Sequence, residues 1–452
     1  MGEQCRTINH EKPFKYKESD LNVTRGCAWT GPGCHMGCGV VMYTDDDGNF
    51  VKCEGDPEDP WTNGRLCMRC LDATEVTNHK ERLLYPMKRD PKDRGKDVWE
   101  RISWDEAYDL ITEKFMDMKE KYGAESVVFA QGTGRDIAAY ITRLCWSFGS
   151  PNYTGFLSGQ ACYLPRIAGM AATTGAPWIP DCAQQFPERY DHPDYEVPEV
   201  MFIWGNYPLK SNLEGFYGHW IIDLMKRGMK IVAVDPKVTW LASKSELHLR
   251  VRPGTDAALA LGMMKIIIEE DLYDHEFVDK WCYGFKELAE RAAEFDTKRV
   301  SEITWVPEEK IVAAARMLGN AKNSTLQWGV AVDMTREAMP AGQAILALWE
   351  ITGNMERPGG MIVAPEILSV AGGWGREHLG PVQEEKRIGI KDYPLFNFGF
   401  AVSQPDETVK TIETGEPYEI HGAWLQTTNP IACMGADPQR LYKALMKLDL
   451  IV

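Results

Sequence analysis

Cys27, Cys34, Cys38 and Cys67 have the type and spacing to hold a metal. They sit in CAWTGPGCHMGCG and GRLCMRC, separated by six, three and 28 residues. Three thiols from one tight loop and a fourth from a returning segment suit a cubane iron–sulfur cluster, which takes a thiolate at each corner. Zinc is a rival, because Cys67-Met-Arg-Cys70 is one CxxC knuckle, but no second knuckle faces it. Structural thiols are the third reading. Twelve cysteines in 452 residues is not disulfide-dense, and no apolar leader precedes them.

The rest of the composition narrows the function classes. A chain of 452 residues has room for roughly two to four domains. No apolar run reaches the ~18–20 residues of a membrane span, so no membrane span is expected. A net charge of −16 argues against nucleic acid as a partner. The expected setting is a reducing cytoplasm.

Elements that could position the cysteines can be read from the pattern. Residues 1–25 read as an extended, weakly hydrophobic arm. VVMYTDDDGNFVKCEGD reads as a hairpin around an Asp-Gly turn, which would return the chain to Cys67. Ser103 reads as the N-cap of a helix to about Tyr122, with Glu106 as its capping-box partner. Beyond it, SVVFAQ, EVMFIW, MKIVAV, NSTLQW and AWLQ read as buried strands alternating with helices. That alternation predicts an α/β fold with doubly wound parallel sheets. Ligands in such sheets bind outside the carboxyl ends of the strands. Asn206, Asp235 and the Pro253–Asp256 turn fall there. Residues 365–420 read as irregular.

In their order and spacing, GRLCMRC, RLLYPMKR, WERISWDEA, WGNYP, IVAVDP, RPGTDAALAL, TGNMERPGG and TTNP resemble the molybdenum or tungsten bis-pyranopterin guanine dinucleotide enzymes, the dimethyl-sulfoxide-reductase superfamily. The resemblance covers essentially the whole chain. It is closest to the branch holding acetylene hydratase, transhydroxylase and the catechol dehydroxylases. It implies three domains: a [4Fe–4S] domain over 1–85, a pterin-binding α/β domain over 86–157 plus 346–452, and a Rossmann-like dinucleotide-binding domain over 158–345.

The resemblance also assigns residues. Cluster ligands would be Cys27, Cys34, Cys38 and Cys67. The first interval is longer than the family's two or three residues, which leaves Cys5, Cys53 and Cys70 as alternatives to Cys27. Arg69 would lie between cluster and pterin. Cys162, in GSPNYTGFLSGQACYLPRIAGM, would ligate the Mo or W, with Ser158 as the runner-up. Gly205 and Asn206 would contact diphosphate. Asp235 and Pro236 would contact guanine or ribose, and Gly254, Thr255 and Asp256 a second nucleotide turn. Asn429 and Pro430 would serve the other pterin. His35 stands where acetylene hydratase carries a catalytic aspartate, and a histidine there can also donate a proton.

Three functional readings follow. The first is a molybdopterin-dependent oxidoreductase that reduces a small organic substrate of the phenol or catechol class, with an iron–sulfur subunit as electron-transfer partner. The second is redox-neutral hydration or hydroxyl transfer at the same centre. The third is a non-catalytic fragment, because the resemblance implies a C-terminal barrel-like domain absent here. On that reading the missing C-terminal portion of the same enzyme is itself a partner.

Overall fold

The computed structural model describes residues 11–28, 37–59, 62–132, 138–154, 164–183, 188–210, 216–363, 375–393, 402–433 and 437–452. An antiparallel sheet opens the chain, with strands Lys15–Glu18, Leu21–Ala28, Cys38–Thr44 and Phe50–Gly55 in sequence order. The last two form the expected hairpin, and Asp45 closes its turn by accepting from the backbone of Asn49 at 2.8 Å. The arm expected over residues 1–25 is therefore partly sheet. Val23 alternates inward against Val41 and Tyr43, which gives its strand an apolar face to bury.

Two parallel four-stranded sheets follow. In the first, the spatial order is Leu247–Leu249, Lys230–Val234, Val200–Trp204, Ser324–Trp328. Alternate side chains face opposite layers. Met201 and Ile203 pack against Ile221 and Leu224 of the helix Phe216–Lys226. Phe202 and Trp204 pack against the helices Asp256–Glu269 and Ala338–Ile351 on the other side. The sheet is thus doubly wound.

In the second, the order is Leu450–Ile451, Gly422–Gln426, Val127–Gln131, Tyr153–Thr154. Val127 and Phe129 bury against Phe115, Met118 and Ile141; Val128 and Ala130 bury against Val409, Ile412, Leu441 and Ala444. Val409 and Ile412 belong to a helix over Pro405–Thr414, so part of the stretch expected to be irregular is helical.

One local expectation needs revision. Ser103 does cap the helix Trp104–Tyr122, accepting from the backbone of Glu106 at 3.0 Å. The Glu106 side chain does not complete the box; it accepts from Lys88 Nζ at 2.6 Å instead. An ion pair with a neighbouring lysine competes for the same carboxylate. The helix Ala338–Ile351 packs along its length on the first parallel sheet. Leu346, Leu348, Trp349 and Ile351 fill the core of the first parallel sheet, and Met361–Val363 pairs with Trp178–Pro180.

Candidate functional site

Cys27 and Cys38 lie at one end of the antiparallel sheet. They stand on neighbouring strands, and Ala28 is the residue directly opposite Cys38. Directly opposed residues share a face, so Cys27 and Cys38 project from opposite faces of the ribbon at its tip. Cys38 is buried against Leu66, the residue before Cys67, and against Trp220. A Cβ placed on Gly37 would lie 3.1 Å from Cys27 Sγ, so that sulfur rests beside the residue preceding Cys38. Cys34 and His35 lie outside the described residues. Among those that are described, no three Cys, His, Asp or Glu side chains close on a metal-sized point. The soft thiols around the ribbon tip nonetheless fit the donor set of an iron–sulfur cluster.

Cys53 and Cys70 are both buried. Cys53 faces Met42 across the hairpin, and burial, with Cys70 nearby, pushes its thiol up to about 11. Arg69 is half-buried in the short helix Met68–Leu71 directly after Cys67.

A residue pair that sequence reasoning missed braces this module. Arg25, two residues before Cys27, is bound by Asp56 through Nε at 2.9 Å and through Nη2 at 2.6 and 2.7 Å. Its Nη1 reaches Glu58 at 2.7 Å and Lys12 O at 3.0 Å. No local pattern marks two residues 31 apart as partners.

The nucleotide positions line up on the first parallel sheet. Numbered along the chain, its strands run 3-2-1-4 in space, so direction reverses between Val200–Trp204 and Ser324–Trp328. That reversal is where doubly wound sheets bind ligands. Gly205 and Gly329 end these two strands. Gly329 N–H donates to Trp204 O at 2.9 Å, and a Cβ on Gly329 would sit 2.5 Å from Gly205 O and 2.7 Å from Asn206 Cβ. Asn206 Nδ2 donates to Trp328 O at 3.3 Å. Asp235 follows the adjacent strand, and its Oδ1 accepts from Lys237 N at 2.7 Å; Pro236 is exposed. Gly254 is exposed and Thr255 half-buried. Asp256 turns inward, where its carboxylate accepts from Trp204 Nε1 at 2.7 Å. Burial pushes that carboxyl up from its ordinary value. It ties a helix N-terminus to the end of the central strand rather than facing outward.

The second sheet repeats the device. Its strands run 4-3-1-2, with the reversal between Gly422–Gln426 and Val127–Gln131. A Cβ on Gly132 would fall 2.1 Å from Thr427 O, so backbone meets backbone there too. Asn429 is exposed beside it and caps the short helix Pro430–Cys433, accepting from Ala432 N at 3.1 Å; Pro430 is buried. Sequence reasoning passed over Gly132 and Gly329. The available signal was a glycine immediately after each buried strand. At both reversals the backbones pack so closely that only glycine fits, and the N–H groups of Gly205, Gly329 and Gly132 donate to the carbonyls of Val234, Trp204 and Gln426. These glycine-bounded cradles lie where doubly wound sheets take a ligand. Cys162 and Ser158 lie outside the described residues.

Two doubly wound sheets, each with a backbone cradle at its reversal, joined to a cysteine-bearing ribbon, define a class of cofactor-binding α/β protein. Residues 82–452 match the molybdopterin oxidoreductase family and residues 31–79 its Fe4S4 domain, so the chain belongs to the molybdopterin oxidoreductase family. Family membership brings Mo or W molybdopterin and a [4Fe–4S] cluster. Acetylene hydratase from Syntrophotalea acetylenica is 30% identical over 93% of this chain and 59% of its own length. The molybdopterin-containing subunit of thiosulfate reductase from Salmonella typhimurium is 29% identical over 93% and 54%. The solved structure of acetylene hydratase from Pelobacter acetylenicus superposes with a TM-score of 0.80 at 29% identity, covering 92% of this chain and 58% of that one. The chain thus spans a little over half the length of these relatives. Among the described residues, no helix is long and apolar enough to cross a membrane.

Proposed function

We propose that this chain carries the cluster and both pterin-dinucleotide cradles of an oxidoreductase that reduces a small organic substrate of the phenol or catechol class. The observation that carries this reading is the seat of the cysteine ribbon. Cys38 is buried against Trp220, on the helix that follows the strand ending at Gly205. That contact joins the Cys38 end of the ribbon to the body of the first parallel sheet, which supports electron passage from the ribbon into that body.

On this reading Cys34, Cys38 and Cys67 hold the cluster, and Cys27 completes it from the outer face. Gly205, Asn206, Asp235, Pro236, Gly254 and Thr255 hold one dinucleotide, with Asp256 fixing their geometry through Trp204. Gly132, Asn429 and Pro430 hold the other. Cys162 holds the Mo or W, whose bound form supplies two-electron chemistry. Arg69 keeps a positive charge beside the Cys67 thiolate, favouring the reduced, more negative cluster. His35 delivers a proton to the departing hydroxyl. The overall change is ArOH + 2 electrons + 2 protons to ArH + H2O, with electrons from an iron–sulfur partner. The relative named as a subunit of thiosulfate reductase supports such a partnership.

The similarity to acetylene hydratase favours a second reading, redox-neutral hydration at the same centre. One assay separates the two. The anaerobically purified protein is given reduced viologen with catechols, and separately acetylene with no external donor. Catechol-dependent viologen oxidation supports the reductase; steady acetaldehyde formation without a donor overturns it in favour of the hydratase.

A further inference from the structure

Arg387 is a buried cation with an unmet donor. The residue is 3% exposed, and its Nη2 has no hydrogen-bond partner among the described residues. Its Nη1 donates to Glu384 Oε1 at 3.3 Å. Arg376, in the short 3-10 helix Arg376–His378, donates from its Nη2 to that same oxygen. Two guanidinium groups thus share one carboxylate at the end of the helix Pro381–Glu384. Burial holds the Arg387 guanidinium below its ordinary value; Glu384 opposes that shift and the neighbouring Arg376 adds to it. An arginine nonetheless keeps its charge, so the cluster holds two positive charges against one negative.

The fold fixes the backbone on both sides of this donor. Lys386 O accepts from Tyr418 Oη at 2.5 Å, and Lys386 Nζ reaches Glu125 Oε1 at 2.6 Å. Ile388 N donates to Asn152 Oδ1 at 3.1 Å. Asn152 is itself fully buried, one residue before the edge strand Tyr153–Thr154 of the second sheet. Arg387 is therefore set in place by its two neighbours, not by its own head group. A buried N–H left unmet on a charged group is costly, and native folds rarely keep one without a partner. The side chains above it are open to solvent, Arg376 at 35% and Glu384 at 29% exposed. A small molecule can approach the pair from that side.

We propose that Arg387 and Arg376 form a binding site for the carboxylate of a small organic acid. Charge selects this class. Two guanidinium groups against Glu384 leave one positive charge, which a singly charged carboxylate cancels and a phosphate dianion oversteps. Geometry agrees, because a guanidinium presents paired N–H groups that match the two oxygens of a carboxylate. Arg387 Nη2 supplies the unmet donor, and Arg376 the second cation at the mouth. Binding there would hold the turn from Glu384 to Ile388 and, through the Ile388–Asn152 hydrogen bond, the edge strand of the second sheet. The site stands independently of the cluster, metal and dinucleotide assignments.

The test follows native-state hydrogen exchange of peptides covering 376–393 and 150–154. The full chain is titrated with sodium acetate, sodium phosphate or sodium chloride at matched ionic strength. Acetate is expected to slow exchange saturably in both peptides, and phosphate and chloride are not. Arg387→Met leaves the Arg376–Glu384 pair neutral, so it should keep the unliganded exchange pattern and lose the acetate response. Arg387→Lys keeps the charge without the fork, and its acetate midpoint should rise by roughly tenfold. No saturable slowing in wild type, or the same slowing in Arg387→Met, overturns the site. Phosphate acting as well as acetate overturns the carboxylate assignment, because it breaks the charge argument. If Arg387→Met opens the segment without ligand, the comparison of wild type with Arg387→Lys decides, and an unchanged acetate midpoint there sinks the proposal.

Discussion

Replacing Arg25 by methionine tests how the cluster module is held. Arg25 and Asp56 side chains are 4% and 6% exposed, so neither charge has water to fall back on. Arg25→Met leaves the Asp56 carboxylate buried without its guanidinium, at a cost of about 3–5 kcal/mol. The double variant Arg25→Met/Asp56→Leu removes both charges. It retains one extra loss, because Asp56 Oδ1 also accepts from Glu58 N at 2.9 Å. That hydrogen bond is worth about 1 kcal/mol. The double variant is therefore expected to be the more stable of the two by about 2–4 kcal/mol, which makes the substitutions strongly non-additive.

The chain has several packed bodies, so whole-protein unfolding is not a clean readout. Native-state hydrogen exchange of peptides from Leu21–Ala28 and Cys38–Thr44 reports the local opening directly. At one decade per 1.4 kcal/mol, Arg25→Met should speed exchange there by roughly two to three and a half decades. The parallel sheets should be unchanged. Iron content should fall with protection, because Arg25 holds the strand that carries Cys27 and Asp56 opens the segment returning to Cys67. Exchange in Arg25→Met within tenfold of wild type would show that the pair contributes little, and the bracing argument would be wrong.

Three further outcomes are expected. Cys27→Ala should lower iron per chain and alter the cluster's resonance spectrum, whereas Cys53→Ala should leave both unchanged; equal iron in the two would remove Cys27 from the ligand set. Gly329→Ala forces a methyl group against Gly205 O, 2.5 Å away, so Mo or W should fall well below wild-type occupancy at normal iron, as read by elemental analysis. Burial pushes the Glu350 carboxyl from 4.5 to about 7, and its Oε1 has no hydrogen-bond partner among the described residues. The folded state then holds that proton more tightly than the unfolded chain. Stability should accordingly fall, by on the order of 3 kcal/mol, as pH rises from about 4.5 through 7. Glu350→Gln should flatten that slope in pH-dependent native-state hydrogen exchange of peptides from the helix Ala338–Ile351.

Much of the framework was legible because it obeys local rules. The hairpin over residues 38–55 follows from alternation and an Asp-Gly turn. The helix from Trp104 follows from Ser103, and the strands Val127–Gln131, Val200–Trp204, Lys230–Val234 and Ser324–Trp328 are short buried runs before a glycine or an aspartate. The capping box failed because Lys88, fifteen positions before Ser103, took the Glu106 carboxylate. Nothing local to Ser103 and Glu106 announces that competitor.

The site divides along the same line. Asn206, Asp235 and Asn429 could be placed at strand ends from sequence, since a strand's end is a local property. That Gly205 faces Gly329, and Gly132 faces Thr427, depends on strand order, which no local pattern encodes. Yet strand order turns ordinary loop glycines into cradles, because only at a reversal do the two flanking connections leave toward opposite faces and open a crevice. The same holds for the thiols. Spacing grouped Cys27 with Cys38, but the register that opposes Cys38 with Ala28 puts the two sulfurs on opposite faces of one ribbon. A cluster at the ribbon tip would then be gripped from both sides. With the long first interval, Cys27 could reach around the strand end, where a two-residue interval would confine it to the loop.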